Sequence, residues 1–478
     1  MVHARKNQGY LLVLIMVFGA MFLTMISAFL GYVVTQHRAQ ILNFNKERAL
    51  NIAEAGLDYY KWFLAHNPDN VTNGTGLPGP YIGVYSDPEG AAIGEYSLQI
   101  ASSTACGSVY AIDITSTAHT YAAPTAGRRV YGRYARPTVA EYAYIINSSV
   151  WAGSDRVIVG PYHSNGGIRM DGTNNSTVSS GQDTWACTPS FGCNSTTTKD
   201  GVFTSTSNAN TELFSYPSPP INFTGLTVDL TAMKAKAQTG GGIYIAPSTK
   251  EGYHVVFQAN GTVKVYRVDT VTTSLGYTTE YKWQTERNVI ASETLVGTYA
   301  VPTACSVMYV EDKVWLDGVV KGRVTIAAAD SSGIDRSMIL NDNITYATAT
   351  SGLLAIAEAD ILVGLSVPDN MTINGIFAAQ KGRFGRNYYC TNDCDPSHSG
   401  SEAVPGGLTT YVKRTSLTVN GTIVSNGREG TKWTSNGVWV SGFNNRTNSY
   451  DRSLVSNPPP LTPHVSDTYE FIEWREMN

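Results

Sequence analysis

The pattern of apolar and polar positions divides this chain into two parts. Residues 10–34 form an unbroken apolar block without a charged side chain. A helix of that length, at about 1.5 Å of rise per residue, crosses a bilayer core of about 30 Å. Apolar residues then recur at spacings of three, four or seven as far as Leu64, which places them on one face of the same helix. Because the first proline is Pro68, we predict one helix over residues 10–67.

Beyond Pro68, short runs of alternating apolar and polar residues are separated by turn-forming pairs such as Asn73-Gly74. Such alternation is typical of strands with one buried face. No later segment shows helical periodicity of useful length, so we predict a β region over residues 68–140 and further β structure after it. The predicted fold class is α+β and mainly β.

A repeated pattern marks the large segment at residues 141–478. Residues 314–320 (VWLDGVV), 371–377 (MTINGIF) and 417–423 (LTVNGTI) share two apolar residues a step of two apart, followed by Asp or Asn and Gly. The Asx-Gly pair supplies the positive φ of a tight corner. Stacked corners of this kind build a solenoid, so we predict a right-handed parallel β-helix. A β-sandwich with several hairpins would use the same residues and is the alternative.

The charges around the apolar block predict its orientation. Arg5 and Lys6 precede the block, so the N-terminus is expected in the cytoplasm and the chain after Thr35 outside. A secretory signal peptide also begins with basic residues, but its apolar region spans only about 7 to 15 residues and ends in small ones. The block at residues 10–34 is longer, which predicts a single-pass membrane anchor.

Composition narrows the function classes. Only 15% of the residues are charged, while Gly, Thr, Ser, Asn and Tyr are abundant, a balance that favours turn-rich β structure over helical bundles. The formal net charge is −4 and no run of Lys or Arg lies outside the N-terminus. We therefore expect no nucleic-acid partner.

The cysteines predict a set of disulfides. There are 6, an even number, and all lie in the segment expected to be exported, where disulfides persist. Short separations select two pairs, and elimination leaves the third. The predicted pairs are Cys187 with Cys193, Cys390 with Cys394, and Cys106 with Cys305. A metal held by Cys390, Cys394 and His398 is the alternative for the last local pair, but no second close Cys pair accompanies it.

The junction between the basic start and the apolar block is more specific. Residues 6–9 (KNQG), followed by Tyr10 and the apolar run, resemble the leader of a type IV prepilin. In that family a prepilin peptidase cuts after the glycine, and the new N-terminal aromatic residue is methylated. The resemblance implies a leader at residues 1–9, a cut between Gly9 and Tyr10, and a pilin-type helix at residues 10–67.

A second motif strengthens the resemblance. Residues 48–57 (RALNIAEAGL) are similar to the Ala-Glu-Ala-Gly signature that closes the N-terminal region of PilX-type minor pilins, here including Glu54, Ala55 and Gly56. The two motifs together cover roughly residues 1–60. They imply that residues 68–140 form a pilin-like sheet region and that residues 141–478 form an exported head.

The head carries a looser resemblance of its own. Residues 160–166 (GPYHSNG) and the closing segment from residues 457–460 (NPPP) to 474–476 (WRE) resemble exported proteins with PilX-type N-termini. This resemblance adds to the expectation of a β-helix.

One residue departs from the family pattern. Major pilins carry a glutamate at the fifth position of the mature chain, and counting from Tyr10 this position is Leu14. In the family the carboxylate is thought to meet the N-terminal ammonium of the next subunit inside the membrane, where an unpaired charge is costly. Certain minor pilins and pseudopilins at filament tips lack it too, so the departure suggests a priming or tip position. Drift in a low-copy subunit would leave the same residue.

The resemblance also implies partners and a location. A minor pilin of this type lies in the inner membrane before assembly and on the pilus or cell surface afterwards. Its partners are other pilins and minor pilins, the prepilin peptidase and the inner-membrane assembly platform, and its head serves adhesion or assembly. Two alternatives stay open: a pseudopilin of a type II secretion-like system, and a membrane-anchored surface enzyme that acts on polysaccharides.

The sequence contains no recognised catalytic constellation, so we predict no catalytic residue, no cofactor, no metal site and no enzyme. His163 and Ser164 are adjacent, but no partner carboxylate or nucleophile elbow accompanies them. The enzyme alternative rests on analogy with β-helices that cleave polysaccharides by clustered acids. The acids available for that role are Asp330, Asp335, Asp342 and Asp360.

Two segments have binding alternatives. Residues 171–175 (DGTNN) carry oxygen atoms that suit calcium, but their spacing fits Asx turns and no known calcium cage. Trp433 and Trp439 flank an Asn-Gly pair and are candidates for contact with a sugar or a partner protein. Aromatic residues that stack between coils would show the same pattern.

Overall fold

A computed structural model of the chain describes residues 8–67, 70–224, 226, 230–329, 336–392, 403–466 and 468–477. Its contacts divide it into two compact units. The first unit comprises the described parts of Met1–Ser103, Ala111–Ala135 and Glu470–Asn478. The second comprises the described parts of Thr104–Tyr110 and Arg136–Tyr469.

The long helix predicted from the N-terminal pattern is present as α1 (Gln8–His66). Every side chain at residues 10–44 is exposed within the chain. By length and composition, this apolar helix can cross a membrane. From Asn45 onward one face is buried, and its members follow a spacing of three or four residues as the pattern predicts. The buried apolar residues are Ala49, Ile52, Ala53, Leu57, Tyr60 and Leu64.

The first unit pairs α1 with a five-stranded sheet of order β1-β2-β3-β4-β31. Its strands, numbered in chain order, are β1 (Tyr81–Ser86), β2 (Ala92–Ala105), β3 (Ser108–Thr120), β4 (Ala123–Ala135) and β31 (Glu470–Met477). The pairs β1–β2, β3–β4 and β4–β31 are antiparallel. The buried face of α1 packs on β4, so the amphipathic half of the helix is part of this unit's core.

The C-terminal strand differs from the predicted boundaries. Those boundaries put residues 470–477 in the head, whereas β31 pairs with β4 in the first unit, with Trp474 opposite Gly132. Apolar and polar residues alternate in this segment as in any strand with one buried face, and nothing in the local sequence indicates which sheet edge it joins. The main chain of β31 therefore returns to a strand more than three hundred residues earlier.

The second unit consists mainly of short strands. They are β5 (Tyr144–Ile146), β6 (Val150–Ala152), β7 (Arg156–Val159), β8 (Tyr162–Ser164), β9 (Ile168–Met170), β10 (Thr173–Asn174), β11 (Val178–Ser180), β12 (Thr184–Cys187), β13 (Thr197–Asp200), β14 (Val202–Phe203), β15 (Phe214–Ser215), β16 (Ile243–Ile245), β17 (Gly252–Phe257), β18 (Thr262–Thr278), β19 (Lys282–Ala300), β20 (Val307–Val310), β21 (Val314–Val320), β22 (Arg323–Ala328), β23 (Met338–Tyr346), β24 (Gly352–Ala357), β25 (Ile361–Val363), β26 (Asn370–Ala379), β27 (Phe384–Gly385), β28 (Lys413–Ser425), β29 (Lys432–Ser435) and β30 (Val438–Ser449). Its helices are α2 (Leu230–Thr239) and α3 (Arg452–Ser456), and its 3-10 turns are Val139–Glu141, Pro189–Phe191, Thr211–Leu213 and Gly406–Tyr411.

Most of these strands lie in parallel stacks. One stack has the order β16-β20-β22-β24-β26-β28-β5-β8-β11-β15, and every neighbouring pair in it is parallel. A second has the order β17-β21-β23-β26-β28-β30-β7-β10, again parallel throughout. The chain thus enters the first stack in its middle, where β5 lies beside β28, and Ile423 faces Tyr144.

Buried side chains at matching positions form a ladder through the first stack. Each member lies opposite the next, and all are nearly inaccessible to solvent. The members are Met308, Ile326, Ala355, Phe377, Ile423, Tyr144, Tyr162 and Val178. Because a parallel stack repeats one register, one column of apolar residues forms a continuous core.

The Asx-Gly pairs lie within strands β21, β26 and β28, and their glycines have the positive φ that the sequence pattern predicts. Gly318, Gly375 and Gly421 have φ of 109°, 149° and 140°. In the neighbouring strands β26 and β28, Asn374 lies opposite Asn420 and Gly375 opposite Gly421. The amide Nδ2 of Asn420 donates a hydrogen bond to Oδ1 of Asn374 at 3.0 Å. The repeat therefore places identical residues opposite each other in neighbouring parallel strands.

Two elements of the second unit were not predicted. The helix α2 buries Met233 and Ala237, whose spacing of four is helical but too short to stand out in the sequence. The antiparallel hairpin of β18 and β19 interrupts the parallel pattern. The coarse prediction, α+β and mainly β with a long N-terminal helix, is confirmed.

Candidate functional site

The residues predicted for processing lie at the start of α1. The helix already includes Gly9 and Tyr10, and the Tyr10 side chain is 76% exposed. Leu14 lies four residues further along and is 41% exposed. Within the described residues, this half of α1 buries no side chain against the rest of the chain. An apolar helix surface of this kind is suited to contact with lipid or with other apolar helices.

The Ala-Glu-Ala-Gly motif lies where α1 contacts its sheet. Gly56 is buried, and a Cβ atom added there would lie 2.6 Å from Oγ of Ser116 and 2.9 Å from Cδ2 of Tyr96. Glycine therefore allows the helix to approach the sheet closely. Glu54 and Ala55 are half-buried beside this contact. In the described part of the chain the Glu54 carboxylate forms no hydrogen bond or ion pair, so it is available to a group outside the chain.

A buried polar contact fixes the position of α1 on the sheet. Asn45 and Thr120 are 5% and 2% exposed. The hydroxyl of Thr120 donates to Oδ1 of Asn45 at 2.8 Å, and Nδ2 of Asn45 donates to the carbonyl of Ile41 at 2.9 Å. Because a slip of the helix would leave these buried groups without partners, the contact selects one register.

Among the residues that the structure describes, two disulfides join pairs that were both named from the sequence. Cys106 is bonded to Cys305, with S–S of 2.08 Å and a sequence separation of 199 residues. Cys187 is bonded to Cys193 and closes a short loop around the turn Pro189–Phe191. All four cysteines belong to the second unit. The predicted pair of Cys390 with Cys394, and the alternative metal site with His398, involve residues outside the described part of the chain.

His163 has neutral partners. It is 3% exposed, its Nδ1 lies 2.9 Å from Oγ of Ser179, and its Nε2 lies 3.0 Å from Oδ1 of Asn165. Burial lowers the pKa of His163, which favours the neutral ring. Ser164 directs its hydroxyl to the carbonyl of Ser148. His163 and Ser164 therefore form no nucleophile-base pair, and the prediction of no enzyme stays a prediction.

The acidic residues considered for catalysis or calcium binding do not form a common site among the described residues. Asp330 and Asp335 lie outside the described residues, Asp342 is exposed, and Oδ1 of Asp360 accepts a hydrogen bond from the Arg383 amide. Asp171 accepts hydrogen bonds from Trp151, Arg169 and the Ser205 amide. No group of three or more metal-binding side chains occurs among the described residues.

A half-buried histidine, His254, lies between two carboxylates. Nδ1 of His254 lies 2.8 Å from Glu293, and Nε2 lies 2.9 Å from Asp317. The centres of the His254 and Tyr266 rings lie 5.8 Å apart. Burial alone would lower the pKa of His254, but the hydrogen bonds and charges of Asp317 and Glu293 outweigh burial and raise this pKa above its usual value.

The raised pKa predicts a pH-dependent stability. A histidine that binds its proton more tightly when folded stabilises the fold fully below its unfolded pKa of about 6.5, and this contribution is lost as pH rises through the folded pKa. We expect the thermal midpoint of the second unit to fall by a few degrees between pH 6 and pH 9. His254→Gln should reduce that fall. An equal fall in the variant and the parent protein would contradict this assignment.

A cavity of about 760 Å³ lies in the second unit. Trp433 and Trp439, from the hairpin of β29 and β30, form one wall. Residues 278–280, at the end of β18, also line it. So do Pro189, Ser190 and Gly192, in the loop closed by Cys187 and Cys193. Only the two tryptophans were noted from the sequence, because the other segments come together through the fold.

An ion-pair network forms one side of this cavity. Asp155 accepts two hydrogen bonds from Arg446, at 2.8 and 2.9 Å, and Nζ of Lys432 lies 3.6 Å away. Burial alone would raise the pKa of Asp155, but Arg446, Lys432 and Arg156 together hold this pKa below its usual value. Beside it, Glu429 is paired with the buried Arg156. Both carboxylates are thus paired with arginine side chains.

Comparisons with known proteins do not assign the chain to a family. No family model matches the chain, and no curated protein matches it. Among solved structures, it is similar to a crystal structure of the competence-associated pilin ComZ from Thermus thermophilus. The two chains are 13% identical over 91% of this chain and 97% of that chain, with a TM-score of 0.28. The sites described above are therefore interpreted from their own residues and contacts.

Proposed function

We propose that this chain is a minor pilin of a type IV pilus-like filament. The observation that carries the proposal is the division of α1 into two halves. Residues 10–44 are exposed, and most of them are apolar, whereas the later half buries one face on the sheet of its own unit. The first half needs lipid or other helices to cover it, and the second half fixes a folded unit to it. A subunit that moves from membrane to filament needs both properties.

The proposal assigns a role to each part of the chain. Residues 1–9 are the leader, residues 10–67 the anchor and packing helix, residues 68–140 with β31 the pilin-like sheet region, and the second unit the exported head. The N-terminus is cytoplasmic before assembly, and the partners are other pilins, the prepilin peptidase and the assembly platform. Glu54 is placed to interact with a neighbouring subunit, since the described residues offer it no partner.

We also propose that the head is a right-handed parallel β-helix. The parallel stacks, the apolar ladder through them and the Asx-Gly corners support this architecture. Right-handedness follows from the strong preference of crossovers between parallel strands. The hairpin of β18 and β19 is then an insertion between two turns of the solenoid.

N-terminal sequencing of the mature chain tests the pilin proposal. In cells that contain the peptidase, the chain is expected to begin at methylated Tyr10. Gly9→Leu should block the cut, whereas Gly19→Leu, a matched change in open space further along α1, should leave it intact. A mature chain that begins at Met1, or beyond residue 30, would exclude the proposal.

The absence of a glutamate at Leu14 leads to a prediction about position. If this subunit primes the filament or occupies its tip, no subunit ahead of it supplies an ammonium group. Leu14→Glu would then place an unpaired carboxyl group in the membrane, at a cost of about 2.5 kcal/mol or more unless it protonates or reaches water. We expect the number of filaments to fall or stay level, with Leu14→Gln as the uncharged control.

Labelled subunits counted per filament, in parent and variant, measure this outcome. A tip subunit gives label at filament ends in both. A clear increase of label along the shaft in Leu14→Glu would show that the new carboxylate has found a partner. That result would reject the tip position and leave the pilin proposal intact.

A further inference from the structure

The cavity of the second unit presents aromatic faces. Trp151, Trp433 and Trp439 line it, and all three are partly exposed. Each indole N–H is already used within the protein, at 2.8 Å to Asp171, 2.9 Å to the Arg386 carbonyl and 3.1 Å to the Gly442 carbonyl respectively. These hydrogen bonds direct the N–H edge of each indole ring toward the protein. What the rings offer a ligand is therefore apolar surface and not a hydrogen-bond donor.

The charges of the cavity are mixed but favour an acidic ligand. Four basic and three acidic side chains line it: Arg383, Arg428, Lys432 and Arg446 against Asp155, Glu280 and Glu429. Lys432 and Arg446 already contact Asp155, and Glu429 is paired with Arg156. Arg428 forms no ion pair with any carboxylate in the described part of the chain. Its cation is thus available to an anionic group.

Arg428 is held in place by neutral contacts. Its Nη2 donates to the carbonyl of Ser190 at 2.7 Å, and its guanidinium lies 4.1 Å from the centre of the Phe191 ring. Both contacts belong to the loop closed by Cys187 and Cys193. Burial lowers the pKa of Arg428, and the charge of the neighbouring Glu429 offsets this effect only in part, since no carboxylate is ion-paired with Arg428 in the described part of the chain. An anionic ligand group would supply that partner through charge-assisted hydrogen bonds.

The walls of the cavity are preorganised. The disulfide closes the loop on one side, the Trp433 indole ties the β29–β30 hairpin to Arg386, and two hydrogen bonds join Asp155 to Arg446. A ligand therefore meets side chains that are already ordered, which lowers the entropy lost on binding. The volume lies within the range of small-ligand sites, about 300 to 1,000 Å³.

We propose that this cavity binds a short segment of an acidic polysaccharide built from hexuronic acid units. The tryptophan rings pack against the apolar faces of the sugar rings, and Arg428 pairs with a uronate carboxylate. The inference does not depend on the pilin proposal, because every residue in it belongs to the second unit. A nucleic acid fits less well, since Asp155, Glu280 and Glu429 would face its closely spaced phosphates.

The same contacts disfavour hydrolysis of the bound sugar by a pair of carboxyl groups. Hydrolysis of a glycosidic bond by a carboxyl pair requires one group that holds a proton near neutral pH. Asp155 and Glu429 are each ion-paired with an arginine, and Glu280 is exposed. Among the residues that line the cavity, no buried carboxyl group is free of an ion pair to act as the general acid of hydrolysis.

Calorimetric titration of the full-length chain in detergent tests the inference. The probes are tetragalacturonate, the carboxyl-reduced neutral form of the same tetrasaccharide, and an oligothymidylate. We expect tetragalacturonate to bind and the neutral form to bind about tenfold more weakly, as the loss of one charge-assisted contact predicts. Arg428→Gln should weaken the binding of tetragalacturonate about tenfold. The affinity for the neutral form should stay within about twofold of that of the parent protein.

Two further variants separate stacking from charge. Trp439→Ala should weaken both sugars by a similar factor. Glu280→Gln removes a negative charge at an exposed position, which would repel the uronate carboxylates. It should therefore tighten the binding of tetragalacturonate by a few fold without changing the binding of the neutral form. The controls are Trp474→Ala and Arg287→Gln, an exposed tryptophan and arginine outside the cavity, and both should bind like the parent protein.

Three results would overturn the inference. The first is no binding of tetragalacturonate by the folded parent protein. The second is equal binding of the acidic and neutral forms. The third is tighter binding of oligothymidylate that is lost in Arg428→Gln, which would identify a nucleic-acid site. Loss of mature Tyr10 processing with sugar binding intact would reject the pilin proposal alone.

Discussion

Gly421→Ala is expected to lower the stability of the second unit by about 3 kcal/mol or more, because two costs act at one position. The φ of Gly421 is 140°, a conformation that residues with a Cβ rarely adopt. A Cβ atom would also lie 1.9 Å from the carbonyl oxygen of Gly375 in the neighbouring strand. That oxygen belongs to the main chain, so relief requires the two strands to separate.

Two matched glycines separate these costs. Gly437 has φ of 80° but has open space around its Cβ position, and Gly407 has open space without a positive φ. We expect the thermal midpoint of the full-length chain to fall most in Gly421→Ala, less in Gly437→Ala and hardly at all in Gly407→Ala. If Gly421→Ala were no less stable than Gly437→Ala, the close approach of Gly421 to the main chain of Gly375 would be incorrect.

The corner prediction shows what a local pattern in the sequence can specify. The Asx-Gly pair requires a positive φ, and the apolar residues before it require a buried face, so both features could be predicted without knowing which strand lies alongside. The same holds for α1, whose spacing from Ala49 to Leu64 identified its buried face. In these cases the chemistry of a few neighbouring residues decides the local structure.

Pairing over long distances could not be predicted in this way. Ile423 faces Tyr144, and β31 pairs with β4, although either strand would alternate equally well beside another partner. Strand order depends on how whole turns of the chain fit together, and periodicity carries no information about it. The helix α2 was missed for a different reason, because its ten residues bury only Met233 and Ala237.

Part of the cavity could be predicted from the local sequence, and part of it depends on long-range pairing. Trp433 and Trp439 stand out in the sequence because they flank a turn. Asp155 and Arg446, by contrast, are joined across 291 residues, and their pairing exists only once β30 lies beside β7. The local sequence therefore pointed to the aromatic wall, and the ion pairs on the other side of the cavity appeared only in the structure.

Glu429→Gln is expected to destabilise the second unit by about 3 to 5 kcal/mol, because it leaves a buried cation without its counter-charge. Arg156 and Glu429 are 3% and 4% exposed, and the Arg156 guanidinium donates to the Glu429 carboxylate, the Tyr144 hydroxyl and Oδ1 of Asn448. Burial alone would lower the pKa of Arg156, but Glu429 outweighs it and raises this pKa. The variant keeps the size of the side chain and removes only the charge.

An exposed ion pair provides the control. Glu251 accepts a hydrogen bond from Nε of Arg287 at 2.9 Å, and Arg287 is well exposed, so Glu251→Gln should cost no more than about 1 kcal/mol. The double variant Arg156→Met with Glu429→Gln removes both charges and should recover a large part of the lost stability, since no unpaired cation remains. Thermal unfolding of the four proteins gives the comparison. Equal losses in Glu429→Gln and Glu251→Gln, or no recovery in the double variant, would mean that the stability of this region does not depend on the charge of the buried pair.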